Sequence, residues 1–379
     1  MRVAIVHDYL NQYGGAERVL EALHALYPEA PVYTSLYDAE AMPDEYRHWD
    51  IRTSFMQRLP GWRQHFRRYF LLYPTAFESF DLSAYDLVLS SSSAFAKGVI
   101  PRPGAVHICY CHTPMRFAWR TSDYVSREGI RGLQGAILPF ALTYVRLWDV
   151  VTSDRVDAFV ANSHEVARRI HRYYRREAEV IPPPVDLPPY APQPAEEYYL
   201  AGGRLIPYKR IELIVEAFTR LRLPLKIFGD GRDRARLERI AGPTIEFLGW
   251  VDEPTRRDLF ARCRAYIFPG EEDFGITPLE AMAAGRPVIA YRAGGALETV
   301  VDGVTGRFFH EPSAAAVAAA VAATRSDRYD PLSIRRHAEQ FGRARFLKRM
   351  RALVEETIEI CQEPRPARAV RAGHFSLEP

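Results

Sequence analysis

The sequence predicts an α/β protein of two domains, each built on a parallel sheet, with the carboxyl ends of the strands turned toward a shared central cleft. Three observations carry this. Short apolar runs alternate with segments of helical periodicity, and such alternation implies parallel strands joined by crossover helices. The rhythm breaks once, at Ile181-Pro182-Pro183-Pro184-Val185-Asp186-Leu187-Pro188-Pro189, and then restarts. The length of 379 residues exceeds what one hydrophobic core usually serves, since domains run to about 150 residues.

In the first half, Val3-Ala4-Ile5-Val6 reads as a buried strand, and Ala16 to Leu26 carries Val19, Leu20, Leu23 and Leu26 at helical spacing. Pro31 to Leu36, Leu87-Val88-Leu89, Val106 to Tyr110, Ala158 to Ala161 and Val180-Ile181 read as further strands, with a helix over His164 to Tyr174. The proline-rich stretch can continue neither sheet nor helix, so it marks a linker and a candidate hinge. Beyond it, Tyr198 to Ala201, Leu225 to Phe228, Ile245 to Leu248, Ala265 to Phe268 and Pro287 to Tyr291 are strands, each followed by a helical segment. After Phe309 the pattern turns helical, through Ser313 to Ala323 and two more helices to Ile360. The boundaries that follow are residues 1–188 and 189–340 for the domains. Residues 341–362 form a helix with the option of crossing back to the first domain, and 363–379 form a flexible tail without apolar periodicity.

Composition narrows the function classes. Fifty Lys+Arg against 47 Asp+Glu leave a net charge of +3, too little for nucleic-acid binding by bulk electrostatics, so any anion site is local. Hydrophobic and charged fractions of 47% and 26% exclude wholesale disorder and collagen-like repeats. Cys109, Cys111, Cys263 and Cys361 are scattered through a chain too large to need staples, so reduced thiols and a cytoplasmic location are expected. Met1-Arg2 precedes too short an apolar run for a secretory leader. The longest apolar stretch, Gly135 to Val145, contains Pro139 and falls short of the roughly 20 residues of a spanning helix, which leaves peripheral contact with the inner face of the cytoplasmic membrane as the membrane option. Trp62 to Leu72 interleaves arginines with aromatics; it suits an anionic bilayer, and equally a domain-surface helix whose arginine stems cover apolar surface. No G-x-G-x-x-G, G-x-S-x-G or Walker A pattern is present, so nicotinamide enzymes, serine hydrolases and P-loop NTPases have no motif behind them.

Four segments carry chemistry, and a fifth is secondary. In Phe268 to Gly285 a strand ends, a loop opens and a helix begins near Thr277-Pro278, whose free N–H groups and dipole attract an anion such as a diphosphate. Glu272 and Glu280 are eight apart, about 80° out of line on one helix, so they share a site only if Glu272 lies in the loop that Gly275 supports. Solvated charges are the bland reading of this pair, and a divalent site at Glu271-Glu272-Asp273 is a competing one, weakened by the lack of a nearby histidine. Gly202 to Arg210 follows the strand opening the second domain. Its Arg204 offers a planar fork and Lys209 a point charge, a pair suited to a leaving diphosphate or simply an exposed basic loop. Gly14-Gly15 lets backbone N–H groups approach a phosphate at a helix start, or makes a tight turn without a ligand. In His107 to Arg116, residues 107, 109 and 111 share one strand face that cannot wrap a zinc ion, whereas His112 lies at the strand end facing the cleft, unless it is a satisfied core histidine. Ser90 to Gly98 either lines the cleft with hydroxyls and Lys97 or forms a plain capped turn.

Taken together, the E-x7-E element in EDFGITPLEAMAAGRPVIAY, the Arg204/Lys209 pair and the Gly14-Gly15 loop resemble the retaining glycosyltransferases of family 4 over most of the chain. The resemblance implies a GT-B architecture of two Rossmann-like domains: an acceptor-binding domain followed by a nucleotide-sugar-binding domain. It implies that Glu280 binds the ribose, Glu272 and His112 the donor sugar, Arg204 and Lys209 the diphosphate, and Gly14-Gly15 its oxygens from the opposite domain. Asp273, Phe274, Gly275, Ile276 and Thr277 complete the donor loop. HDYLNQYGGAERVL, SSSSAFAKGV and HTPMRFAW further resemble the mannosyltransferases of O-antigen and exopolysaccharide synthesis. The implied partners are a nucleotide-sugar donor, GDP-mannose in that branch, and a saccharide or lipid-linked acceptor, with no metal or other cofactor. UDP-sugar transfer, a nucleotide-sugar epimerase or phosphorylase, and a non-catalytic sugar-nucleotide-binding subunit are the alternatives.

Overall fold

The computed structural model describes residues 1–119, 133–324 and 328–362; the tail expected at residues 363–379 lies outside the described residues. The first sheet is all parallel and consists of β1 (Val3–His7), β2 (Val32–Thr34), β3 (Ile51–Thr53), β4 (Leu87–Ser92), β5 (Val106–Cys111), β6 (Ala158–Ala161) and β7 (Ala178–Val180), in the order β3-β2-β1-β4-β5-β6-β7. The second, also parallel, contains β8 (Tyr199–Gly202), β9 (Leu225–Phe228), β10 (Ile245–Gly249), β11 (Tyr266–Phe268), β12 (Val288–Tyr291) and β13 (Gly306–Phe309), in the order β10-β9-β8-β11-β12-β13. In both sheets the order reverses beside the first strand, between β1 and β4 and between β8 and β11. Loops diverge there and leave a crevice at the carboxyl ends.

The sequence reading lacks β3 and β13. Both are edge strands only partly buried, so neither shows the continuous apolar run of a central strand. Gly306 opens β13 for a packing reason: a Cβ there would stand 1.9 Å from the Val288 carbonyl oxygen.

The Gly15–Leu26 helix buries Val19, Leu20 and Leu23 against Ile5 and Leu89 of the first sheet. The same core takes Phe346, Met350, Leu353 and Val354 from the Arg343–Gln362 helix, so this helix crosses back to the first domain. The proline-rich segment is consequently one of two crossings. Val185 is buried and its N–H donates to the Phe341 carbonyl at 2.9 Å, while the Arg335 guanidinium donates to the carbonyls of Pro188 and Tyr190.

Two segments that the sequence left open take definite packing. Trp62, Phe66, Tyr69 and Phe70 lean on the core around Val6, Tyr73 and Phe95, while Arg63 stacks over Trp62 and pairs with Asp38 at 3.0 Å. No helix among the described residues is long and apolar enough to cross a membrane. Lys97 does not line the cleft. It is 1% exposed, pairs with the fully buried Asp149 at 2.9 Å and donates to the Asp149 carbonyl and Thr152 Oγ1 at 2.6 and 2.8 Å. Asp149 also accepts from Trp119 Nε1 at 2.7 Å and from the Tyr174 hydroxyl at 3.0 Å. Removing one partner of such a pair strands the other charge in the interior, so Lys97→Ala is expected to cost about 3–5 kcal/mol. Urea unfolding checks this, and a midpoint unchanged at constant slope would contradict it.

Candidate active site

The crevices of the two sheets face each other, and the first domain's wall is anchored by a residue the sequence reading passed over. Asp8, next after β1, accepts hydrogen bonds from the backbone N–H groups of Ser93, Ala94, Phe95 and Ala96, which fastens the turn after β4 to the end of β1. Burial pushes its carboxyl upward, against the pull of the N–H groups of Ser93, Phe95 and Ala96. His112 lies one residue past β5. Its Nε2 is 2.8 Å from Ser91 Oγ, and its carbonyl accepts from Asn162 Nδ2 at 2.9 Å. Burial lowers its pKa to about 3, so the ring is neutral.

On the facing wall, Gly275 at φ +86° turns the loop after β11 into the Ile276–Ala283 helix. Glu272 therefore lies in the loop and Glu280 on the helix, the arrangement that lets residues at this spacing share a site. Lys209, in the turn Pro207–Lys209, places Nζ 2.6 Å from Glu272 Oε1. Gly203, at φ +111°, passes beneath that ammonium. Arg204 Nη1 reaches Gln12 Oε1 across the cleft at 3.3 Å. Gly15 is also explained, since a Cβ there would stand 2.8 Å from Ile276 Cδ1 of the other domain. Phe274 is buried in the second core with Leu279 and Met282, so it anchors the loop and its ring does not face the cleft. The Gly295 N–H, donating to the Glu272 carbonyl at 2.8 Å, holds the same loop from behind.

The acids of the second wall are met by arginines, several from the first. Arg18 Nη1 bonds Glu280 Oε1, and Arg18 Nη2 lies 3.3 Å from Glu253; Arg256 approaches Glu280 at 3.0 Å from its own domain. Asp273 pairs with Arg116 at 2.5 Å and with Arg169. Glu298 accepts from the backbone N–H groups of His164 and Glu165, at 2.8 and 3.1 Å, where the His164–Tyr174 helix starts. The acid cluster thus diverges: Glu272 turns to Lys209 and Asp273 to two arginines. Among the described residues no group of three or more His, Cys, Asp or Glu is arranged to hold a metal ion. The strand face of His107, Cys109 and Cys111 is interior. His107 pairs with Ser90 Oγ at 2.8 Å and the Arg155 carbonyl at 3.1 Å, and burial lowers it to about 4 and raises Cys109 to about 12.

The structure therefore sets Lys209 against Glu272, carries Arg204 to Gln12 and Gly15 to Ile276 of the opposite domain, and ties Asp273 and Glu280 to first-domain arginines, with His112 just past β5 and with Phe274 and Gly275 shaping the loop. Gly14 and Thr277 are placed only as the chain neighbours of Gly15 and Ile276. Sequence reasoning missed Arg18, Arg116, Arg169 and Arg256. An arginine on a helix reads as solvated unless its partner is known, and these partners are more than a hundred residues away for all but Arg256.

Burial alone would raise the Asp273 carboxyl, but Arg116 and Arg169 more than offset it and hold it below its ordinary 3.8. Because the folded value lies below the unfolded one, the stabilisation is complete above about 3.8 and is lost as pH falls further. The two walls are expected to separate in that range, and Asp273→Asn to loosen them already at pH 7. Small-angle scattering checks both, and a radius of gyration identical in wild type and variant at pH 7 would contradict the clasp.

The family model described as Glycosyltransferase Family 4 matches residues 13–188, and that described as Glycosyl transferases group 1 matches residues 188–345. Among curated relatives, Alpha-1,3/1,6-mannosyltransferase ALG2 of Dictyostelium discoideum is 54% identical over 76 residues, which is 20% of this chain and 18% of that protein. GDP-mannose-dependent alpha-mannosyltransferase of Mycolicibacterium smegmatis is 34% identical over 151 residues, 36% of this chain and 38% of that protein. The chain thus matches less than half the length of each of these relatives. The crystal structure of Anabaena HepE in complex with UDP and glucose superposes with a TM-score of 0.70 at 18% identity, covering 94% of this chain and 99% of that one, and shares its fold. The two family models meet at the proline-rich boundary between the sheets, and the chain belongs to the family 4 glycosyltransferases of GT-B architecture.

Proposed function

We propose that the protein is a retaining hexosyltransferase that moves mannose from GDP-mannose to a glycan or lipid-linked saccharide. The observation that carries the reading is the Lys209–Glu272 contact of 2.6 Å beside Arg204, at the carboxyl ends of the second sheet and facing Gly14-Gly15. Lys209 and Arg204 neutralise the departing diphosphate, with the N–H groups at the start of the Ile276–Ala283 helix aimed at the same anion. Donor binding exchanges partners: the diphosphate takes the Lys209 ammonium, and Glu272 is released to accept from sugar hydroxyls. Glu280 keeps lone pairs for the ribose hydroxyls while Arg18 and Arg256 fix its orientation, because a carboxylate offers about four acceptor sites. The acceptor attacks from the face the diphosphate leaves, with the protein's cations rather than a divalent ion carrying the developing charge.

Mannose rests on the mannosyltransferases among the relatives. A second reading, transfer from a UDP-sugar, is favoured by the shared fold of HepE, which was crystallised with UDP and glucose. Thermal shift separates them: a ligand at 100 times its dissociation constant stabilises by about 2.7 kcal/mol, and GDP is expected to give the larger shift. A larger shift with UDP would reverse the donor assignment. Lys209→Ala is expected to lower kcat about 10²–10³-fold, as loss of one donor to a developing anion does. A folded Glu272→Ala variant with full transfer would remove that residue's sugar role, and the anomer of the product tests retention.

A further inference from the structure

His112 is one end of a buried chain of polar groups that begins at Glu17. Glu17 Oε1 lies 3.5 Å from His7 Nε2, His7 Nδ1 lies 3.1 Å from Ser91 Oγ, and Ser91 Oγ lies 2.8 Å from His112 Nε2. The sheet sets these contacts. His7 of β1 and Ser91 of β4 are register partners, and the His112 N–H donates to the carbonyl of neighbouring Ser92 at 2.8 Å. Glu17, His7 and Ser91 are 4%, 2% and 0% exposed, so water does not compete for their protons.

The inventory of donors and acceptors then links the two histidines. A carboxylate presents lone pairs only, so His7 turns Nε2–H toward Glu17. With that as its single proton, its Nδ1 is an acceptor, and Ser91 spends its own proton on it. The Ser91 oxygen is left to accept, which requires the proton of neutral His112 to sit on Nε2. The remaining nitrogen, Nδ1, is then a lone pair. The ring is only partly buried, and Asp273 of the opposite wall acts on it electrostatically, so it stands at the cleft between the domains. The opposite arrangement is equally well defined. If His7 were to donate to Ser91, Ser91 would donate to His112 Nε2, and Nδ1 would bear the proton.

We propose that His7 carries a single proton, on Nε2, and that Glu17, His7 and Ser91 are positioning residues that hold His112 in its Nε2-protonated form, so that Nδ1 accepts a hydrogen bond from a hydroxyl of the sugar bound in the cleft. The sugar part of this statement rests on the transferase reading above. The relay supplies orientation and proton placement, and none of its three buried members touches the substrate.

Long-range proton–nitrogen NMR spectra of the full chain labelled at histidine report which nitrogen of His112 carries the proton, and His112→Gln identifies its signals. A fixed Nε2–H pattern is expected without any substrate. An Nδ1–H pattern, or rapid averaging between tautomers, overturns the proposal. Ser91→Ala is expected to lose the fixed pattern and Ser91→Thr, which keeps the hydroxyl, to retain it; unchanged His112 signals in Ser91→Ala also overturn it. Should Ser91→Ala fail to fold, Glu17→Gln serves, because an amide can donate to His7 and free the ring to turn its protons around. In turnover, Ser91→Ala is expected to lower kcat/KM for the donor about tenfold, near the worth of one neutral hydrogen bond, with binding of the sugar-free nucleoside diphosphate unchanged. Equal loss of nucleotide binding would mark a general structural defect and sink the positioning role. Because the spectra need no donor, absence of transfer with every nucleotide sugar would defeat the transferase reading and leave the tautomer assignment separately measured.

Discussion

Everything at this site depends on opposite charges meeting across a gap between two independently folded sheets. Arg18, Arg116 and Arg169 come from the first domain, while Glu280 and Asp273 come from the second. Neither set has a reason to be semi-buried by itself. An unpaired arginine or carboxylate taken from water costs several kcal/mol, so each wall carries groups that are satisfied only when the other wall is present. The net stabilisation from such pairs is small, because desolvation consumes most of the Coulomb gain. Their effect is geometric: they define one apposition of the walls and penalise others.

This apposition is complemented by the hinge. The chain crosses between domains at Val185 and again near Phe341-Gly342, and the two crossings are hydrogen-bonded to each other. A single flexible linker would let the second domain swivel freely. Two crossings tied together restrict motion to bending about a line, so the relative orientation of the carboxyl ends survives opening. One face of the Arg343–Gln362 helix anchors the return crossing, since Phe346, Met350, Leu353 and Val354 sit in the first domain's core.

How much of this was legible in the sequence follows from how local each cause is. Central strands such as Val3–His7, Val106–Cys111 and Val288–Tyr291 are buried on both faces and announce themselves as apolar runs. Ile51–Thr53 and Gly306–Phe309 are edge strands whose stability comes from a neighbour, which no local pattern records. The donor loop was readable because its glycine, its glutamates and its helix start lie within one segment, and the E-x7-E pattern resembles a known family. Lys97 was left between two readings by the same locality. A cation in a serine-rich turn looks solvent-facing until Asp149, fifty-two residues on, is found beneath it. Arg18 and Asp8 were missed because their roles consist wholly of distant partners, respectively Glu280 and the turn at Ser93 to Ala96.

The charge inventory of the cleft also constrains how a ligand enters. Glu272, Asp273 and Glu280 each already have a cation, and each pair would be costly to break without a replacement. A neutral sugar offers hydroxyl donors to Glu272 but no negative charge to Lys209, so it has no means of parting the two. A molecule that joins a diphosphate to a sugar supplies both at once: negative charge for Lys209 and Arg204, and hydroxyl donors for Glu272. Binding of the two halves is thereby coupled through a single ion pair, and the sugar is gripped only when its leaving group is present. On the transferase reading proposed above, a site that rests with its charges mutually satisfied thereby selects an activated sugar over a free one.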